Sequence, residues 1–176
     1  RKERRRIMKD GYLGNVNLKP RNTPLGYSQE HIDEWTRCKN DPIYFAERYI
    51  KIINLNEGFV TINLFDYQKD IINSFNDYSN TIVLTARQSG KTTTAVCIIL
   101  HYILFASKKK PKTVALLANK AEAAREILSR IQLAYEALPK WMQQGIISWN
   151  KGSIELENKC KVIAAATSGS AIRGKS

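Results

Sequence analysis

One stretch near the middle of the chain, residues 80–104, constrains the fold more than any other part of the sequence. It reads NTIVLTARQSGKTTTAVCIILHYIL. Residues 81–84 are a short, apolar, β-branched run, which predicts a strand buried on both faces. Small and polar residues follow, and from Lys91 onward the apolar residues recur at helical spacing. The stretch therefore predicts a strand, a tight loop and a helix in succession.

The loop ends in Gly90-Lys91-Thr92, the second half of the phosphate-binding pattern G-x-x-x-x-G-K-[ST]. Gly90 would let backbone amides approach a phosphate, and the first turn of the helix adds unpaired N–H groups. Lys91 could reach the β- and γ-phosphates, and the Thr92 hydroxyl could bind Mg²⁺. We therefore predict an ATP–Mg²⁺ site with Thr92 as the metal ligand. The residues predicted to bind the nucleotide here are Ala86, Arg87, Gln88, Ser89, Gly90, Lys91, Thr92 and Thr93.

Two residues of this region complicate the prediction. The pattern expects glycine five residues before Gly90, but the chain has Thr85 there. Arg87 lies inside the loop, where its guanidinium could face the γ-phosphate, on which charge develops during phosphoryl transfer. The alternatives are a solvated loop arginine and, for the whole motif, an ordinary strand-to-helix turn with a solvated lysine.

Gln68 is predicted to lie on a helix shortly before the loop. Its side-chain amide can donate and accept hydrogen bonds, as recognition of an adenine edge requires. A helical glutamine is otherwise usually a surface residue. The neighbouring Tyr67 could stack on the base, although the sequence favours a place in the core.

Charge and cysteine content restrict the possible partners. The chain carries 28 Lys and Arg against 16 Asp and Glu, a net charge of +12, which suggests a polyanion and first of all nucleic acid. A basic solvated surface is the alternative. The 3 cysteines show no zinc-binding spacing, and an odd number argues against a disulfide framework. The longest apolar run is too short to span a bilayer and no secretory signal is visible, so we expect a cytoplasmic location.

The remaining patterns predict an α/β fold: a P-loop NTPase of the RecA/ASCE-like type, with a parallel sheet flanked by helices. A strand, a crossover helix and a second strand would form a right-handed βαβ unit. We expect a basic flexible or extended arm at 1–27, a helical lead-in at 28–79, and part of an ATPase core with a β-hairpin region at 80–176. Predicted helices cover 28–39, 43–52, 66–78, 91–104 and 120–138. Predicted strands cover 58–64, 81–84, 113–118, 146–149, 153–157 and 161–166.

Carboxylates of the kind needed for hydrolysis are missing from the sequence after the loop. A P-loop hydrolase holds Mg²⁺ with an Asp at the end of an apolar strand and positions water with a nearby Glu or Gln. No Asp follows Thr92, and none of the 5 later Glu residues ends such a run. We therefore expect either an incomplete core, with low stability alone, or a protein that only binds nucleotide.

Several ordered motifs give the chain a resemblance to a known family. It resembles the N-terminal ATPase domain of the large terminase subunit of myophage-type tailed bacteriophages. The resemblance extends from about Asp41 onward, and the motifs that carry it are DPIYFAE, FDYQKD, TARQSGKTT, WNKGSIEL and IRGKS. These terminases commonly lack the first glycine of the loop, so Thr85 is consistent with the resemblance.

The resemblance implies a DNA-packaging motor. By position, Gln68 matches the glutamine that contacts adenine, and Arg87 matches the arginine that senses the γ-phosphate. Lys91 and Thr92 match the residues that bind the phosphates and Mg²⁺. Arg173 matches an arginine finger that acts on the nucleotide of a neighbouring subunit. Arg87, Lys91 and Arg173 are thus the implied catalytic residues. Implied partners are double-stranded DNA, the portal protein, the small terminase subunit and further copies in a ring, by resemblance a pentamer, with no membrane. The parent protein would also carry a nuclease domain, absent here, and would act at the procapsid portal in the host cytoplasm.

Two other functions fit the motifs. A helicase or translocase of the second superfamily also has a glutamine upstream of a Gly-Lys-Thr loop. A nucleotide- or DNA-binding module without hydrolysis would explain the missing carboxylates.

Overall fold

The computed structural model describes residues 11–54 and 58–167. Its helices are α1 (Gln29–Asn40), α2 (Pro42–Tyr49), α3 (Asp66–Asp77), α4 (Lys91–Leu104) and α5 (Ala121–Glu136). Its strands are β1 (Lys51–Asn54), β2 (Gly58–Thr61), β3 (Thr113–Ala118), β4 (Ile146–Trp149), β5 (Ser153–Leu156) and β6 (Lys161–Ala166). The α/β class is confirmed, and none of the helices in these ranges is long and apolar enough to cross a membrane.

Local capping chemistry sets the starts of the first two helices. The Ser28 hydroxyl accepts a hydrogen bond from the His31 N–H at 3.3 Å, and the His31 ring accepts one from the Ser28 N–H. Asp41 caps α2 by accepting from the Tyr44 N–H at 2.8 Å, and Pro42 fits the first helical position. These starts were predicted correctly because each cap lies within three residues of the groups that it satisfies.

The segment after α2 is a strand, whereas the sequence pattern predicts a helix up to residue 52. α2 ends at Tyr49, and β1 pairs with β2 in an antiparallel hairpin, Lys51 opposite Thr61 and Asn54 opposite Gly58. Ile52 and Ile53 are β-branched and suit a pleated surface better than a helix. The prediction at 43–52 was therefore wrong at its end, and the strand predicted at 58–64 is shorter.

The main sheet is mixed and has the strand order β3-β6-β5-β4. β3 and β6 are parallel, whereas β5 is antiparallel to both β6 and β4. The turns between these last strands lie at Asn150-Lys151-Gly152 and around Lys159, as predicted. In the described residues the predicted parallel sheet is present only as the pair β3 and β6, and the predicted β-hairpin region is its antiparallel part. The P-loop NTPase topology stays a prediction.

Helix α5 lies against β3 and β6, and α4 packs on α5, α2 and α3. The core between these layers contains fully buried side chains from each of them, including Phe45, Leu100, Leu128, Tyr135 and Val162. Burying each large apolar side chain stabilises the fold by about 1.5–3 kcal/mol. Helix α4 is thus held on several sides, which fixes the direction in which its N-terminus points.

The segment before α1 docks beside β4. Leu18 is 1% exposed, and the Ile146 N–H donates to the Lys19 carbonyl at 2.9 Å. Buried Gln143 accepts from the Lys19 N–H and donates to the Asn17 and Leu138 carbonyls. Residues 17–20 were predicted as part of a flexible or extended arm, and the structure shows a turn and a bend at 17 and 18 followed by specific hydrogen bonds to Gln143 and Ile146. The domain boundaries themselves stay predictions.

Candidate nucleotide-binding site

The segment before the loop does not form the predicted buried strand. Residues 81–84 pair with no strand in the described part of the chain. Ile82 is 98% exposed and Leu84 97% exposed, whereas Val83 faces a cleft of about 340 Å³ lined also by Lys91, Thr92 and Ala95. The prediction of a strand buried on both faces was wrong for this structure, because strand formation needs a hydrogen-bonding neighbour that the local sequence does not reveal.

The loop itself has the backbone that its sequence predicts. Gly90 takes a left-handed conformation, with φ of 73°, and directly precedes α4. Gln88 is also left-handed, with φ of 61°. No side chain caps α4, and the first helical hydrogen bond runs from the Thr94 N–H to the Gly90 carbonyl at 2.9 Å. The N–H groups of the first helical turn therefore have no intrahelical acceptor, which favours an anion.

Polar side chains hold the loop in one shape. The Ser89 hydroxyl hydrogen-bonds the Thr85 hydroxyl at 3.0 Å and donates to the Ala86 carbonyl at 2.9 Å. The Lys91 ammonium donates to the same carbonyl at 3.1 Å, so it lies over the loop. Thr85, which stands in the place of the expected glycine, is therefore part of the network that closes the loop.

Tyr67 joins α3 to this loop. Its hydroxyl donates to the Ser89 carbonyl at 2.6 Å, and its ring stacks on Phe65 with centroids 5.8 Å apart. Tyr67 is 40% exposed and Phe65 66% exposed. The preference for Tyr67 as a core residue was wrong. Its contact with the loop was missed because it joins residues 22 apart in sequence, and nothing in the local pattern indicates it.

Gln68 lies behind the loop and is 4% exposed. Its amide oxygen accepts from the Phe65 N–H at 3.0 Å, and its amide nitrogen donates to the Thr94 hydroxyl at 3.0 Å. The first bond closes the start of α3, so Phe65 is the N-cap residue and Asp66, predicted as the cap, is the first residue of the helix. The second bond joins α3 to α4. A Cβ atom at position 90 would lie 2.6 Å from this amide nitrogen, so a larger residue there would have to displace the Gln68 amide.

The other predicted site residues are distributed around the loop. Ala86, Arg87 and Gln88 are exposed, and Thr92 and Thr93 are half-buried on the first turn of α4. Thr92 faces the 340 Å³ cleft beside Val83, and Thr93 faces a separate cleft beside β1 and α5. Arg173 lies outside the described residues. The structure therefore brings residues 86–93 together in one place with Gln68 directly behind them.

Neither cleft provides a carboxylate among the described residues that line it. The described part of the chain also has no cluster of three or more His, Cys, Asp and Glu residues that could hold a metal ion. A metal at Thr92 would thus have one protein ligand among the described residues. The assignment of each site residue to a nucleotide stays a prediction.

Comparison with known proteins identifies the family. Residues 82–176, more than half of the 176-residue chain, match the family described as "Terminase large subunit, T4likevirus-type, N-terminal". The chain therefore belongs to this family of large terminase subunits, as the resemblance implied. Membership gives it a terminase role in DNA packaging.

Proposed function

We propose that the chain is the ATPase motor domain of a viral terminase large subunit, which couples ATP hydrolysis to the packaging of double-stranded DNA into a procapsid. The single observation that carries the proposal is the loop before α4, where left-handed Gly90, an uncapped helix N-terminus and the Lys91 ammonium converge. Family membership supplies the process that this site would power.

The residues present fit a nucleoside triphosphate and Mg²⁺. Exposed N–H groups and the positive end of the α4 dipole suit the phosphates. The Lys91 ammonium makes its one described hydrogen bond to a carbonyl of the loop itself, so it can exchange that partner for phosphate oxygens at little cost. The Thr92 hydroxyl follows at the next position, where it can bind Mg²⁺. When bound, the metal would neutralise charge on the phosphates as it develops.

Each group of the chain then has a definite task. The loop amides and Lys91 bind and orient the phosphates, and the Ser89 and Tyr67 bonds keep the loop closed around them. Arg87, exposed within the loop, stabilises charge on the terminal phosphate. Gln68 sets the position of α4 relative to α3 through its bond to Thr94. It also recognises the adenine, either with the amide hydrogen that does not bond Thr94 or after a movement of the loop.

Hydrolysis requires groups beyond those described. We propose that Arg173 acts in trans on the nucleotide of a neighbouring copy in a ring. Another segment or subunit must supply the carboxylates that bind Mg²⁺ and position water, because no described residue offers them in the cleft beside Thr92. We place the assembly at the portal in the host cytoplasm, together with the small terminase subunit and a nuclease domain of the parent protein.

A nucleotide-binding titration tests the proposal. In the intact protein, Lys91→Ala should weaken binding of a fluorescent ATP analogue at least tenfold, or about 1.4 kcal/mol. Lys120→Ala, which also removes an exposed lysine just before a helix, is the matched control. Equal affinities for both variants and the unmodified protein would contradict the assignment of this loop.

A further inference from the structure

A second concentration of positive charge lies at the opposite end of α4 from the nucleotide loop. It consists of two loops: the connector 107–112, which follows α4, and the turn 157–160, which joins β5 to β6. The basic residues of these loops and of the first position of β6 form what we call the lysine cluster. Its members are Lys108, Lys109, Lys110, Lys112, Lys159 and Lys161.

A buried asparagine ties the two loops together. Asn158 is 1% exposed, and its amide nitrogen donates to the Ile103 carbonyl at 2.7 Å and the Ala106 carbonyl at 3.2 Å. Its amide oxygen accepts from the Cys160 N–H at 3.1 Å. The turn is thereby fixed to the last turn of α4, and the Lys161 N–H donates to the Lys112 carbonyl at 2.9 Å. The cluster is thus built on a rigid base from segments far apart in sequence.

The charge of the cluster is only partly balanced. Lys108 pairs with Glu157 at 3.7 Å and Lys161 with Glu155 at 3.5 Å. Lys112 lies over the Tyr102 ring, 5.0 Å from its centroid. Among the described ion pairs none includes Lys109, Lys110 or Lys159, and all three are exposed. Six lysines against two glutamates leave a local excess of four positive charges.

Such an excess is unfavourable for the chain alone, because like charges held close together repel one another. A partner with closely spaced negative charges would offset that repulsion. The phosphates of a DNA duplex supply one negative charge per about 1.7 Å of helix axis. Exposed lysines on a fixed surface suit such a partner, because they can contact phosphates without reading the bases.

We propose that the lysine cluster is a binding surface for the backbone of double-stranded DNA. This proposal rests on the packaging function and adds to it a place where the DNA is held. α4 has 14 residues and is about 21 Å long, so the nucleotide and DNA surfaces lie at its two ends. At 0.15 M salt the screening length is about 8 Å, so bound nucleotide and bound DNA should not compete by charge.

The test compares two triple variants of the intact protein with equal loss of charge. The cluster variant is Lys109→Gln, Lys110→Gln and Lys159→Gln, and the matched control is Lys51→Gln, Lys120→Gln and Lys151→Gln, all exposed and outside the cluster. The affinity for a duplex of random sequence is measured by fluorescence anisotropy at salt concentrations from about 50 to about 200 mM. Over this range phosphate contacts make the affinity fall steeply with salt.

We expect the cluster variant to bind duplex DNA about tenfold or more weakly at 0.1 M salt, with a salt slope lower by about 2 to 3. The control should change the slope by less than about 1. Equal losses in the two variants, or an unchanged slope in the cluster variant, would overturn the proposal. A packaging defect with normal DNA affinity would also overturn it, because the lysines would then serve a protein partner.

ATP-analogue binding separates this proposal from the proposed function. The cluster variant should bind the analogue as the unmodified protein does, whereas Lys91→Ala should lose the analogue and keep the DNA salt slope. Normal DNA binding without any nucleotide binding in the unmodified protein would refute the motor function and leave the DNA surface standing. Loss of the analogue in the cluster variant would refute the separation of the two surfaces.

Discussion

The bond between Gln68 and Thr94 is the structural connection behind the nucleotide loop, and its removal gives a quantitative test. Gln68→Ala deletes a buried amide that bridges the start of α3 and the first turn of α4. The two lost hydrogen bonds are worth about 1 kcal/mol each, and the space left by the side chain adds about 1 kcal/mol more. We therefore expect the free energy of unfolding to fall by about 2–3 kcal/mol.

A double-mutant cycle isolates the bond from the other effects. Thr94→Val replaces the hydroxyl by a methyl group of similar shape, at a position that is 1% exposed. Chemical denaturation of both single variants and the double variant should give a coupling energy of about 1 kcal/mol. A coupling below about 0.3 kcal/mol would refute the argument that this bond joins the two helices. If Gln68 also contacts adenine, Gln68→Ala will lose selectivity for ATP over GTP in binding assays.

Three further perturbations test other parts of the account. Asn158→Ala should lower the free energy of unfolding by about 2–4 kcal/mol in denaturant titrations, because it removes three hydrogen bonds, two of them buried. A loss below about 1 kcal/mol would show that the turn does not depend on this side chain. Burial lowers the pKa of His101 from its usual 6.5, so the unfolded chain takes up the proton first as the pH falls. The stability of the fold should therefore decrease as the pH drops below about 6.5 towards the lowered pKa. Thermal melts of His101→Gln should lack this decrease, and a pH profile identical to that of the unmodified protein would argue against it. Burial raises the pKa of Cys97 and Cys38 to about 12, so iodoacetamide at pH 8 should modify either thiol only after the protein unfolds. Rapid labelling of the native protein would contradict the burial of these thiols.

The sequence predicted well those features that depend on near neighbours. The Ser28 and Asp41 caps, the helix after Lys91 and the turn at Asn150 each depend on groups within a few residues. The loop at 86–90 belongs to the same class, since a glycine at position 90 readily takes the left-handed backbone found at the helix start.

Features that depend on distant partners were not predictable in this way. The segment 81–84 has the composition of a buried strand, but its Ile82 and Leu84 are exposed because no described strand pairs with it. The helix after Asp41 was extended across Ile52, since only the pairing of β1 with β2 shows where it ends. The bond from Tyr67 to Ser89 joins α3 to the loop, and the bond from Gln68 to Thr94 joins α3 to α4; neither can be read from the local sequence.

DNA packaging by the intact protein tests the central claim most directly. Purified procapsids, DNA and ATP are combined with the unmodified protein, with Lys91→Ala or with Lys120→Ala, and the DNA protected from nuclease is measured. The account predicts that Lys91→Ala abolishes packaging while its circular dichroism and melting temperature stay unchanged, and that Lys120→Ala packages normally. Normal packaging by a folded Lys91→Ala variant would contradict the claim that this loop binds the ATP that drives the motor.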